Sequence, residues 1–251
     1  MTTKREKILD SEARETQEMG AGTLSKQITN AKPKTVPTPS VRRLPLYLRL
    51  LRDYQARGRT VVSCTQLAAD LRFDPTQVRK DLALTQISGR PKVGYPIAEL
   101  IAAIEDFLGW RRTTEAVLVG VGSLGTALLG YNFSLYGLNI VGAFDAAPEK
   151  VGLVVHGREI MPIGYLTSFL RQRSIPLGIL TVPASAAQSV AEMMAAGGVK
   201  AIWNFTSAAL QLPENVLVER ADFSASLAVL TRALTLGVLS LAPTIPKKEV
   251  T

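Results

Sequence analysis

Apolar residues in the run VRRLPLYLRLLRDYQARG fall at Leu44, Tyr47, Leu48, Leu51 and Tyr54, the spacing of one helix face, with arginines between them and Gly58 as a stop. Pro45 is expected in an early turn of this helix, where its missing N–H matters least. A short VVS follows, then two brief helical patterns, SCTQLAADL and RFDPTQVRKDLAL. Asp74 can cap the second, Pro75 suits its first position, and Gln77 completes a capping-box arrangement. Two short helices joined by a tight polar turn make a helix-turn-helix. Val78 and Leu82 then point to the core, leaving Gln77, Arg79 and Lys80 for base edges and phosphates. ISGRPKVGYP sets Arg90 and Lys92 among glycines and prolines, the composition of a basic hairpin wing, and PIAELIAAIEDFLGW is a fourth amphipathic helix. The pattern predicts a winged-helix DNA-binding domain over residues 40–112.

From residue 113 the period changes. AVLVG, IVGAFD, LGILTV and AIWNF read as buried strands, with helices SLGTALLGYNFSLYG and SAAQSVAEMMAAGG between them, the alternation of a parallel sheet covered on both faces. Gly120, Gly122 and Gly125 form GxGxxG directly after a strand and at the opening of a helix. The first glycine allows the tight turn, the second lets backbone approach a pyrophosphate, and the third permits close helix–strand packing. Asp145 ends the next strand, where a carboxylate accepts hydrogen bonds from the adenine-side ribose and repels a 2′-phosphate. This predicts an α/β, Rossmann-like domain over residues 113–222 that binds NAD rather than NADP. SASLAVLTRALTLGVLSLA carries one charge, Arg232, and is apolar nearly all round, so it must be covered. A second copy of the chain is the expected cover and a membrane is not, giving a dimerisation helix over 223–242 before a tail, 243–251.

Composition narrows the chemistry. With one cysteine, Cys64, and one histidine, His156, the chain has no internal disulfide and no cysteine-based zinc cluster, so redox chemistry must come from a bound cofactor. Cys64 reads as a small helix-start residue and His156 as a surface side chain. The net charge of +8 divides as +2 over residues 1–40, +6 over 41–112 and 0 over 113–251, so the helical piece owns the positive charge. Residues 1–39, polar and closed by AKPKTVPTPS, read as a disordered arm without an apolar signal run, which predicts a cytoplasmic chain. Little chain is left for a substrate domain, and no acid–base pair stands out. An oxidoreductase with a helical appendage and a protein-binding winged helix are the alternatives to a DNA-binding sensor.

The order of winged helix, GxGxxG domain and apolar terminal helix, with the blocks RLPLYLRLL, QVRKDL, VGVGSLGTAL, FDAAPEKVG, LTVPASAAQ, GGVKAIWNF and DFSASL, resembles the Rex redox-sensing transcriptional repressors of bacteria from about Val36 to Ala242. The resemblance implies a homodimer with exchanged C-terminal helices that binds palindromic operator DNA when free or NAD+-bound and releases it with NADH. The dinucleotide is then a signal and the chain is not an enzyme. It also implies cofactor contacts from Gly120, Gly122, Ser123, Leu124, Gly125, Asp145, Thr181, Val182, Pro183 and Tyr131. Arg49, Tyr131 and Asp222 are the implied switch residues, Arg49 pairing with the partner subunit's Asp222. The chain departs from the family at ALTQISGRPKVGY, where Pro91 and Lys92 replace an Arg-Gly step. The dinucleotide domain is also similar to the CoA-binding domain of succinyl-CoA synthetase alpha chains, without the later histidine-bearing domain of those enzymes.

Overall fold

The structure, a computed structural model, describes residues 36–237. Most of the expected arm, the last residues of the expected tail helix and the tail lie outside the described residues. Internal contacts divide the chain between Ile104 and Glu105.

The first unit is built from α1 (Thr38–Ala56), β1 (Val61–Val62), α2 (Cys64–Leu71), α3 (Pro75–Ala83), β2 (Tyr95–Pro96) and the start of α4 (Ile97–Leu108). Helix α1 buries Leu44, Tyr47, Leu48, Leu51 and Tyr54 as expected. It begins earlier than its apolar pattern, at Thr38, so Pro45 lies in the helix interior and not in an early turn. Losing one N–H there costs about 3 kcal/mol, while each fully buried large side chain returns about 1.5–3 kcal/mol, so the apolar face wins.

The expected capping box forms on α2 instead of α3. The Ser63 hydroxyl accepts from the Gln66 N–H at 3.1 Å, and the Gln66 carboxamide oxygen accepts from the Ser63 N–H at 3.1 Å. On α3 Asp74 does its half, accepting the Thr76 and Gln77 N–H groups at 2.7 and 3.0 Å. The Gln77 side chain turns away to Asp81, one helical turn on. The wing is a real hairpin: Arg90 and Gly94 exchange backbone hydrogen bonds of 2.8 and 2.9 Å around a turn in which Lys92 takes φ +63°. Strands β1 and β2 pair antiparallel at its base, Val62 opposite Tyr95.

The second unit carries β3 (Thr114–Val119), α5 (Ser123–Leu129), β4 (Leu138–Asp145), β5 (Val154–Val155), β6 (Arg158–Pro162), α6 (Leu166–Arg173), β7 (Leu177–Leu180), α7 (Ala184–Ala196), β8 (Ala201–Asn204), β9 (Leu217–Arg220) and α8 (Phe223–Leu236). The strand order is β5-β6-β4-β3-β7-β8-β9, parallel except for β5 against β6. Helices α6 and α7 close one face through Leu166, Leu170, Ala187, Ala191 and Met194. The other face packs Ala116, Leu118, Ile140 and Ile179 under Phe133 and Leu128.

SLGTALLGYNFSLYG is not one helix. At Gly130 the backbone comes so close to the His156 ring that a Cβ would sit 2.7 Å from it, and the chain re-forms only as a 3-10 turn at Phe133–Tyr136. KVGLVVHGREI, expected as a loop or an edge strand, forms β5 and most of β6, while β9 and helix α6 escape the sequence reading because they are short and half exposed. Among the described residues no helix is long and apolar enough to cross a membrane.

Candidate dinucleotide and nucleic-acid sites

The glycine turn lies where the strand order reverses, between β3 and β7, the usual ligand crevice of an open α/β sheet. Gly120 takes φ +100°, and a Cβ on it would stand 2.7 Å from the Thr181 carbonyl. A Cβ on Gly125 would stand 2.0 Å from the Gly120 oxygen, so neither position admits a side chain. Thr181 ties the two loops together, its hydroxyl donating to the Val119 and Gly120 carbonyls at 3.0 and 2.7 Å. Gly122 is different: nothing lies within 4 Å of its missing Cβ. That open cradle sits at the start of α5, where the first-turn N–H groups have no partner within their own helix. Ser123 and Leu124 are exposed beside it, Val182 is half-buried and Pro183 exposed. These residues fit a pyrophosphate held by backbone.

Asp145 reaches back under this turn. Its Oδ2 accepts the Val121 N–H at 2.7 Å and the Lys150 ammonium at 3.0 Å, and its Oδ1 accepts the Ala147 N–H at 2.9 Å. Burial opposes the charge, but these donors outweigh it and hold the carboxyl below the usual carboxylate range. Asp145 therefore braces the glycine turn from inside, a role beyond the ribose contact expected of it, and Lys150 is a partner that the sequence reading missed.

Tyr131 is 52% exposed, not core. Its ring stacks on Tyr136 at 6.3 Å and lies 4.7 Å from Phe133. It lines an apolar groove of about 660 Å³ with Trp110, Phe133, Trp203, Phe205 and Phe223. Helix α8 begins at this groove and buries none of its own residues. Asp222 caps it, accepting the Ser224 N–H at 2.8 Å, which together with the Ser224 hydroxyl lowers its pKa. Arg49 is exposed on α1. His156 is exposed in the β5–β6 turn, and among the described residues no cluster of His, Cys, Asp or Glu could hold a metal.

On the helical unit Arg79, Lys80, Arg90 and Lys92 are all exposed, while Gln77 is half-buried. Beneath them lies a charge that sequence reasoning passed over. Asp81 is fully buried and accepts from Arg43 Nε at 2.6 Å, Arg43 Nη2 at 2.8 Å, the Tyr47 hydroxyl at 2.6 Å and Gln77 Nε2 at 2.9 Å. Burial raises its pKa, but Arg43 and then Tyr47 more than compensate and leave it lowered. The same burial and the same carboxylate push the Tyr47 hydroxyl well above its ordinary value. The signal was present in QVRKDL: Val78, Asp81 and Leu82 share the inward stripe, and a carboxylate there must be paired.

Comparison with known proteins agrees with both halves. Residues 35–83 match the family described as "Putative DNA-binding protein N-terminus", and residues 111–208 match the CoA binding domain. A redox-sensing transcriptional repressor Rex from Treponema denticola is 43% identical over 201 residues, 80% of this chain and 96% of that protein. RSP, a Rex-family repressor solved with NAD+ and operator DNA, superimposes with a TM-score of 0.76 at 31% identity, covering 80% of this chain and 94% of that one. RSP solved with NADH gives 0.74 at 30% identity, with 81% and 96% covered.

Proposed function

Because the chain belongs to the Rex family of redox-sensing transcriptional repressors, we propose that it is a cytoplasmic homodimer that occupies palindromic operator DNA when free or NAD+-bound and leaves it when NADH-bound. The observation that carries this reading is the fold match, over both units, to a repressor solved with NAD+ and operator DNA and again with NADH. The relatives matching four-fifths of the chain are repressors, which removes the ground for the oxidoreductase alternative.

Gly120, Gly122, Ser123, Leu124 and Gly125 would hold the pyrophosphate by backbone N–H groups, Asp145 would stand at the adenine-side ribose, and Thr181, Val182 and Pro183 would wall the crevice. The dinucleotide supplies a nicotinamide ring that is cationic when oxidised and neutral when reduced. Tyr131 would meet that ring, and Arg49 and the partner subunit's Asp222 would exchange contacts between the two states. Gln77, Arg79, Lys80, Arg90 and Lys92 would contact DNA. The uncovered α8 and the aromatic groove at its foot support a second copy as the cover, with the helices exchanged.

Thermodynamically, the NADH-binding arrangement must be the one that binds DNA less well; a coupling of about 1–3 kcal/mol weakens DNA binding about 5- to 150-fold. A titration of the full-length protein into palindromic DNA at fixed salt, with NAD+ and then with NADH, tests this. Release confined to NADH supports the reading, and binding that ignores the oxidation state rejects it.

A further inference from the structure

The contact between Gln77 and Asp81 has a directional consequence. A carboxylate is an acceptor only, so the atom that Gln77 turns toward Asp81 at 2.9 Å must be its amide nitrogen. Asp81 cannot swing to suit the amide, because it is fully buried and already held by Arg43 and Tyr47. The glutamine is thus fixed in one flip state. One N–H is spent on Asp81, and the second N–H and Oε1 have no hydrogen-bond partner among the described residues. Gln77 stands in the first turn of α3, where the recognition helix of a helix-turn-helix meets base edges. An amide donor beside an amide acceptor is complementary to adenine, which shows an N7 acceptor beside an N6–H donor in the major groove. Guanine, with two acceptors, would face the Oε1 lone pairs.

We infer that Gln77 is a specificity-determining residue that reads one adenine in each operator half-site, and that Asp81 is the positioning residue that sets the amide's flip. The inference rests on the DNA-binding reading above and adds to it the base and the cause of the preference. Anchoring by a buried charge also orders the glutamine before DNA arrives, so less side-chain entropy remains to be lost on binding.

The test uses full-length protein and a palindromic duplex selected by that protein from a randomised library. Each adenine of the half-site is replaced in turn by guanine, cytosine, thymine and 7-deazaadenine, and competition binding is read at fixed salt. The wild type loses about 5- to 150-fold at one adenine, the range of a bidentate base contact, and 7-deazaadenine, which lacks only the N7 acceptor, produces a loss at that position. Gln77→Met keeps the volume and loses that discrimination while preserving it at every other position. Asp81→Asn, if folded, weakens discrimination at the same position only. The inference is overturned if Gln77→Met keeps the wild-type base preference while weakening all duplexes equally, since Gln77 then only supports the helix. It is also overturned if no adenine of the half-site shows a loss that Gln77→Met abolishes. A wild type that selects no sequence at all would defeat the repressor reading itself, a different failure.

Discussion

Helices α3 and α8 both begin with an aspartate cap, Asp74 and Asp222, but they differ in what lies behind it. Helix α3 buries Val78, Asp81 and Leu82 completely and turns Arg79 and Lys80 to solvent. Helix α8 buries nothing, with Phe223, Leu227, Leu230 and Leu234 each at least 60% exposed. One helix is finished inside a single chain and offers charge to a partner; the other offers apolar surface that water would not tolerate for long. On the function proposed above, the first is the DNA reader and the second the joint between two copies.

Substitutions can break that contrast, taken in order of their expected effect on folding free energy. Asp81→Ala strands the Arg43 guanidinium and the Tyr47 hydroxyl. Because the Arg43 side chain keeps 22% exposure, we expect the low end of the range for a broken buried pair, about 3 kcal/mol, in urea unfolding of the full chain. The pH dependence has a definite sign. The Asp81 pKa is lower folded than unfolded, so its contribution is present above the unfolded value of about 4 and is lost as pH falls through the folded one. Acid unfolding should therefore flatten in Asp81→Asn.

Asp74→Ala removes two backbone hydrogen bonds from the start of α3 and should lower the urea midpoint, by less than Asp81→Ala does. Leu227→Glu with Leu230→Glu should change single-chain stability by only about 0.5 kcal/mol, since neither side chain is buried, yet should shift sedimentation from dimer to monomer. A dimer that survives would move the joint elsewhere. Arg79→Ala should leave stability unchanged and lower the salt slope of DNA binding by about 1.

The contrast also explains what could be read from the sequence. Strong period and punctuation were legible: the face of α1, the Asp74–Pro75 start of α3, the GxGxxG turn after β3, and the apolar tail helix. Features set by packing across the sequence were not. Gln77 abandons its capping box because Asp81 is a buried acceptor, and Asp81 is charged because Arg43, 38 residues earlier, lies against it. Lys150 and Val121 meet on Asp145 only once the loops after β3 and β4 are side by side. The close approach of Gly130 to the His156 ring joins residues 26 apart in sequence, which no local pattern announces.

Reciprocity provides the most direct test of the central claim, that the dinucleotide is a signal coupled to DNA binding. If NADH weakens operator binding by some factor, saturating operator DNA must weaken NADH binding by the same factor. Calorimetric titration of NADH into the protein, alone and then with excess palindromic DNA at fixed salt, should show the NADH Kd raised about 5- to 150-fold by the DNA. An unchanged Kd, with DNA demonstrably bound throughout, would contradict it.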